Sequence, residues 1–571
     1  MKSEQLPNPV MHADSAPFWD AAREGKLLLK RCASCEQVHF YPRPHCPLCG
    51  AARTQWTQAA GTGHVYSFSI VRGAPKPTAA AVIELKEGVR LTSVIVDADV
   101  HALAIGDEVA VATIPSEAGQ ELPVFTTKRA NDARAYSARA LGLSGRVPGV
   151  SANLPIVTWR LAAVIGAGTM GAGISTALVV AGIEVCLIDR SQEALQRAAA
   201  QVQRNLEAER ARGRMDAGQV QAAVGRLRTS TRMEDLTGAN LVIEAVWEQM
   251  GLKREVFSRI DQLADADALL ATNTSTLDID QIAEATRRPG SVIGLHFFTP
   301  AHVMNLLEIV RGPRTTVELV GAAQQLAKQL RKTGVVVGIS EGFVGNRLMI
   351  AREREATRLI LEGALPQQVD RVLREFGMPM GTFELQDMTA GIELSYRLRQ
   401  ETGVREPIVD GLVALGRLGQ KVGKGYYRYE PGQRKPLVDP EVTALIESTS
   451  EAQGIKRRPM ADAEVLDRLI LPMINEGAKL IEEGIATRPS DIDVVWQKGF
   501  GWPSWKGGPM YYADQFGLAA LHQRLEELEH SVGEQFRPAR TIAELARSKR
   551  RFADLQKAET ESSALEMGEI I

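Results

Sequence analysis

Residues 161–174 read LAAVIGAGTMGAGI. Five apolar residues run into Gly166, and Gly168 and Gly171 complete the spacing GxGxxG. Three glycines at that spacing are a weak signal by themselves. Their setting is stronger: a strand precedes them, a helix follows, and VCLIDR (185–190) ends a second strand on Asp189. Strand, glycine turn, helix, strand and acid together describe a dinucleotide-binding unit.

Each position has a physical reason. Gly166 permits the tight turn, Gly168 lets the backbone approach a pyrophosphate, and Gly171 allows close helix–strand packing. Thr169 and Met170 open the helix whose amino end attracts the phosphates. Asp189 accepts from both ribose hydroxyls and repels a 2′-phosphate, which favours NAD over NADP. Arg190 beside it is of the type that accommodates that phosphate.

Outward from this unit the texture is β-α alternation. NLVIEAV, ALLATN and SVIGLHFF are further strands with helical segments between them, and VVVGIS ends the pattern at 340. The expected fold over 159–340 is a doubly wound parallel Rossmann domain, with ligands at the carboxyl edge of the strands. That edge collects Glu248, Lys253, Asn273, Ser275 and His296. Twelve residues separate His296 from Glu308, too many for one helical turn; a bend at Thr299-Pro300 could return Glu308 toward it. A lone histidine in an apolar run is most often a core-edge residue, and His296 departs from that because the cofactor site converges on the same crevice. His302 is read as a surface or pocket-rim residue and Cys186 as strand core.

Beyond 340 the chain is helical and repeats itself. RLMIAREREATRLILEGALPQQVDRVL (347–373) matches RLILPMINEGAKLIEEGIATRPSDIDVVW (468–496), aligning Arg347 with Arg468, Gly363 with Gly484, Pro366 with Pro489 and Asp370 with Asp493. Two all-α domains are expected at 341–432 and 461–555, with a linker at 433–460 and a tail at 556–571.

At the other end, CASCEQVHFYPRPHCPLC (32–49) carries two CxxC knuckles, Cys32/Cys35 and Cys46/Cys49. Two knuckles close a tetrahedral four-sulfur site with no open position, so one structural zinc ion is expected. His39 and His45 are not needed as ligands. Residues 1–52 are assigned to a short helix and this ribbon. HVYSFSIV, AAVIEL, LTSVIVD and EVAVATI give an OB-like β-barrel over 53–127. Residues 128–158 hold Gly, Pro, Ser and Asn without strong periodicity and read as a linker.

Sixty-seven basic and 69 acidic side chains leave a net charge of −2 in 571 residues, with 44% hydrophobic content. Nothing there points to nucleic acid or an anionic membrane as partner, and no apolar run reaches the ~18 residues of a spanning helix. The end GEII is not a peroxisomal address. A cytoplasmic monomer or homodimer is expected.

Residues 15–130 resemble the acyl-CoA-associated zinc-ribbon/OB-fold family known as DUF35. PFWDAAREGKLLLKRCASC, FYPRPHCPLCG and GTGHVYSFSIV carry the likeness. Glu36 stands where that family usually has glycine. Residues 159–510 resemble the L-3-hydroxyacyl-CoA dehydrogenase family, in its longer form with two C-terminal domains. IEAVWE, TNTST, GLHFFTPAHVMNLLEIV, GFVGNRL, GRLGQKVGKGYYRYE and GFGWPSWKGGP carry this second likeness.

The dehydrogenase resemblance implies roles. His296 is the general base, Glu308 orients it, and Ser275 and Asn346 hold the substrate oxygens. Glu248 and Lys253 lie near the nicotinamide and its ribose, and Asn273 belongs to the cofactor site with them. The family usually reads HFFNP, and Thr299 replaces that asparagine. The DUF35 resemblance implies acyl-CoA handling, or docking of a thiolase or enoyl-CoA hydratase. The expected function is NAD-dependent oxidation of a 3-hydroxyacyl-CoA. The competing readings are a dehydrogenase of a non-CoA β-hydroxy acid and a scaffold for acyl-CoA enzymes.

Overall fold

The structure is a computed structural model that describes residues 6–71, 78–100, 102–147, 149–150, 154–389, 391–433 and 435–555. The expected tail at 556–571 lies outside the described residues. The chain divides into two compact units. The first holds the residues up to Tyr136 with Leu373–Met378 and Ser504–Lys506; the second holds the remainder.

In the first unit a helix, Ala16–Arg23, leads into a three-stranded antiparallel sheet of order β2-β1-β3. Its strands are β1 (Leu28–Cys32), β2 (Val38–His39) and β3 (Thr54–Gln58). Thr54–Gln58 falls within the segment assigned to the barrel, where no strand was expected before HVYSFSIV; β3 pairs with β1 from Leu28↔Gln58 to Cys32↔Thr54, so the ribbon's sheet extends past residue 52. A closed barrel follows in the order β4-β5-β6-β8-β7. It is built from β4 (Thr62–Val71), β5 (Thr78–Leu85), β6 (Arg90–Ile95), β7 (Glu108–Pro115) and β8 (Glu121–Thr127). Strict alternation on β5 turns Ala79, Ala81, Ile83 and Leu85 into the barrel core, as period-two patterning requires.

Within 128–158, read as a linker, the described residues include regular structure. Lys128–Ser144 is a helix. Its buried positions Ala130, Ala133 and Ala140 recur at helical spacing, and alanine has the highest helix propensity. Beyond it, Val147, Val150 and Val157 pack on the core of the second unit, and Val157 N–H donates to Gln325 at 2.8 Å. The expected linker at 433–460 likewise contains a helix, Pro440–Ala452.

The second unit is organised on an eight-stranded sheet. Its strands are β9 (Leu161–Ile165), β10 (Glu184–Ile188), β11 (Leu227–Ser230), β12 (Leu241–Glu244), β13 (Leu269–Thr272), β14 (Val292–Phe297), β15 (Leu306–Val310) and β16 (Thr333–Val337). Spatial order is β11-β10-β9-β12-β13-β14-β15-β16. The sheet is parallel from β11 to β14, then β15 runs antiparallel to β14 with β16 parallel to β15. The wholly parallel expectation fails at this point for a simple reason. The connection at 298–305 is shorter than the roughly dozen residues a parallel crossover needs, so the chain turns back. His296 and Glu308 become directly opposed partners in that register.

The two helical repeats pack together through helices Gly345–Glu362 and Asp462–Glu482. Arg347 pairs with Glu476 at 3.0 Å and Glu483 at 2.7 Å. Arg468 pairs with Glu355 and with Glu362, the latter at 2.6 Å. The carboxylates stand at the same sequence offsets from their arginines in both copies, so the exchange is reciprocal, as across a two-fold axis. Asp370 and Asp493 also repeat a role: each accepts two backbone N–H groups opening a following helix, from Phe383 and Glu384 or from Met510 and Tyr511. Among the described residues, no helix is long and apolar enough to cross a membrane.

Candidate active site

The glycine loop closes as its residue types require. Gly166 sits at φ +107°, and a Cβ there would lie 2.6 Å from Ala245 O. A Cβ on Gly171 would lie 1.8 Å from Gly166 O, so this glycine lets the helix Thr169–Val180 fold back onto the loop itself. A Cβ on Gly168 would meet nothing within 4 Å. The loop is therefore open on the side where a pyrophosphate would approach the helix amino end. Asp189 braces the loop, accepting from Ala167 N–H at 2.8 Å and Ser191 N–H at 2.9 Å. A carboxylate has about four acceptor positions, so capacity remains for ribose hydroxyls. These residues fit a dinucleotide.

Behind the loop lies a buried polar network. Lys253 is fully buried and donates to Glu244 at 2.7 Å and Val246 O at 3.4 Å, with Glu248 at 3.4 Å. Glu244 also accepts from Thr272 at 2.7 Å. Glu248 accepts from Thr274 Oγ1 at 2.6 Å, Ser275 N–H at 2.7 Å and Ser275 Oγ at 3.1 Å. Burial alone would raise the Glu248 carboxyl, but Lys253, Thr274 and the amides of Ser275 and Thr276 outweigh it and hold it below the usual range. Lys253 thus reaches Ser275 only by way of Glu248. Sequence reading places Glu244 at the end of its strand on this edge but gives it no role, although a carboxylate closing an apolar buried strand was a signal for one.

Asn273 Oδ1 accepts from Phe297 N–H at 2.9 Å, pinning the exit of β14. One residue earlier, His296 Nδ1 lies 2.7 Å from Glu308 Oε2, with both side chains buried. Glu308 Oε1 accepts from Gly345 N–H at 2.9 Å and Val344 N–H at 3.3 Å. These are orphan donors at the start of helix Gly345–Glu362, where the helix dipole favours negative charge. Phe298 and Phe343 flank the imidazole at ring-centre distances of 4.5 and 5.6 Å. Asn346 is half-buried in the first turn of the same helix. Thr299 Oγ1 meets Met170 Sδ at 3.1 Å, so the turn after β14 touches the dinucleotide loop. His302 is half-buried, and burial pushes its imidazole pKa down. Cys186 is fully buried in β10, and burial raises its thiol.

In the first unit the four cysteine sulfurs lie within 4.8 Å of one another. The amides of Cys35 and Ser34 aim at Cys32 Sγ and push its thiol down to about 6. It is the closeness of the four sulfurs that positions these residues to hold one ion, consistent with zinc. Glu36 occupies the left-handed region at φ +60°, a conformation that costs a non-glycine residue about 1 kcal/mol. Glu36→Gly is expected to stabilise the ribbon by about that amount, seen as a higher melting temperature of the metal-loaded protein.

A glycine loop, its acid and an opposed His–Glu pair at one sheet edge define a dinucleotide-binding Rossmann framework. Residues 161–340 match the family model described as 3-hydroxyacyl-CoA dehydrogenase, NAD binding domain. Residues 342–429 and 465–558 match its C-terminal domain. The chain belongs to the 3-hydroxyacyl-CoA dehydrogenase family. At the N-terminus, 19–55 match the ChsH2 rubredoxin-like zinc ribbon and 56–113 the ChsH2 C-terminal OB-fold.

The peroxisomal bifunctional enzyme of Danio rerio is 39% identical over 391 residues, 65% of this chain and 54% of that protein. Its Homo sapiens counterpart is 38% identical over 383 residues, 64% and 53% respectively. The chain spans about half the length of these curated relatives. The dehydrogenase part of multifunctional enzyme 1 from C. elegans is 29% identical with TM-score 0.55, covering 73% of this chain and 96% of that one. The 3-hydroxybutyryl-CoA dehydrogenase of Escherichia coli K12 is 27% identical with TM-score 0.59, covering 68% and 98%.

Proposed function

We propose that this chain oxidises the 3-hydroxyl of a 3-hydroxyacyl-CoA thioester to the ketone, reversibly, with NAD as coenzyme. The observation that most supports this reading is the opposed pair His296–Glu308 at 2.7 Å, beside a turn that touches the dinucleotide loop. With Nδ1–H donated to the carboxylate, Nε2 keeps its lone pair and faces the substrate as the base. It takes the hydroxyl proton from the C3 oxygen while the C3–H bond's electron pair leaves with hydrogen. Bound NAD supplies the hydride acceptor. The imidazolium so formed is stabilised by Glu308, itself held by the amides of Val344 and Gly345. Ser275, fixed by Glu248, and Asn346 hold the substrate oxygens, and such orientation can contribute ~7–11 kcal/mol.

Assaying 3-hydroxyacyl-CoA thioesters beside free 3-hydroxy acids tests the reading: thioester oxidation is expected, and turnover of the free acids alone would contradict it. Asp189 leads to a second expectation. NADH should bind at least about tenfold more tightly than NADPH, since a 2′-phosphate would face a carboxylate; equal affinities would contradict that role. The N-terminal module is assigned to acyl-CoA handling or to docking a thiolase or hydratase, with its zinc purely structural. Co-purification with the full chain and with one lacking residues 1–130 tests docking, and partner capture that is indifferent to the deletion rules it out.

A further inference from the structure

The first helical repeat contains a buried polar cluster that neither the dyad nor the repeat contacts use. Arg352 is 2% exposed, yet its Nε and Nη1 have no hydrogen-bond partner among the described residues. Thr382 Oγ1, Gln386 Oε1 and Tyr426 OH are buried and unpartnered in the same sense. Glu353 ties them together. It lies within electrostatic reach of Arg352 and Tyr426 and beside Gln386. Thr382 and Gln386 stand one turn apart on the helix Thr382–Met388, hence on one face.

A buried guanidinium without a bonded anion is strongly unfavourable. Glu353 and Asp370 attract it electrostatically, but among the described residues no carboxylate is bonded to it. Asp370 spends its oxygens on the amides of Phe383 and Glu384 and on Tyr427 OH at 2.6 Å, and burial pushes its carboxyl up to about 7. Desolvation likewise raises Glu353, which faces Gln386.

The cluster lies on a line from the reacting centre. Arg352 is seven residues after Gly345, whose amide holds Glu308, so it occupies the same helix face about 10.5 Å further on. Glu353 stands in the same relation to Asn346. Aromatic rings connect the two ends. Phe298 lies against His296, Phe500 against Phe298, Trp496 stacks on Phe500 at 4.5 Å, and Arg352 sits 5.2 Å over Trp496.

We infer that Arg352 and its polar neighbours form the far end of the acyl-binding site, and that the acyl group taken there carries a carboxylate. The inference rests on the 3-hydroxyacyl-CoA dehydrogenase reading. The methylene chain runs over the aromatic rings, and the terminal carboxylate pairs with the guanidinium, the partner geometry arginine binds best.

The test gives the full chain and NAD matched pairs of 3-hydroxyacyl-CoA thioesters of equal length, one ending in methyl and one in carboxylate. The carboxylate member is expected to have a kcat/KM about tenfold to hundredfold higher at its best length. Arg352→Met should bring that ratio to one or below, and Arg352→Lys should keep part of it. A wild-type ratio at or below one at every length overturns the inference, as does an Arg352→Met ratio equal to wild type. Should Arg352→Met fail to fold, the wild-type ratio and Arg352→Lys decide. Oxidation of methyl-ended thioesters without preference defeats this inference alone; no oxidation of any thioester defeats the dehydrogenase reading with it.

Discussion

Replacing His296 with glutamine is expected to lower kcat by about 10²–10⁴-fold, the range positioned proton transfer contributes, while NADH affinity stays nearly unchanged. Glutamine fills a similar volume and still offers an amide N–H to Glu308, so the β14–β15 pairing survives. It cannot take the hydroxyl proton. The proposed coenzyme contacts, Gly166 to Gly171 and Asp189, lie on other elements and should not register the change. Glu308→Gln should also lower kcat, because the imidazolium loses the carboxylate fixed by Val344 and Gly345. Steady-state oxidation of a 3-hydroxyacyl-CoA, with NADH titration by fluorescence, checks both; wild-type turnover by His296→Gln contradicts the assignment.

Arg468→Met is expected to cost about 3–5 kcal/mol of stability, the loss typical when one partner of a buried ion pair is removed. Arg468 is fully buried and Glu355 is 2% exposed, so the substitution leaves Glu355 only the half-exposed Arg358, at 3.8 Å, as a cation. Burial would lower the guanidinium's pKa, but Glu362 and Glu355 together raise it, which marks the pairing as favourable to the charge. Arg347→Met provides the comparison, because Arg347 is only partly buried and its partner Glu483 is half exposed. It should cost clearly less. Denaturant unfolding followed by far-UV dichroism reads both variants. An Arg468→Met midpoint no lower than that of Arg347→Met would mean the reciprocal exchange does not hold the repeats together.

The geometry of the candidate site was legible because its residues carry their own periodic or spaced signals. Apolar strands delivered Gly166, Asp189 and His296 to one edge, and Pro300 marked the bend that returns Glu308. The helix Lys128–Ser144 was not legible, because its buried face is alanine at Ala130, Ala133 and Ala140, which gives almost no hydropathy contrast. β8 was hidden by Pro123, a residue that normally demotes a strand. It is accommodated because β8 meets β6 only at Ile95↔Phe125. The Arg352 cluster was invisible for the opposite reason: charged residues on a helix read as a solvated face, and the buried position of Arg352 over Trp496 is a tertiary contact with no local signal. The sheet reversal followed from loop length and was only half anticipated, as a return of MNLLEIV toward His296.

The most direct measurement is label transfer. With a 3-hydroxyacyl-CoA deuterated at C3 and unlabelled NAD, the reduced coenzyme formed by the wild-type chain is predicted to carry the deuterium, and His296→Gln to form almost none. Coenzyme and thioester both bound, with no deuterium passing from C3 to the nicotinamide, would contradict the account.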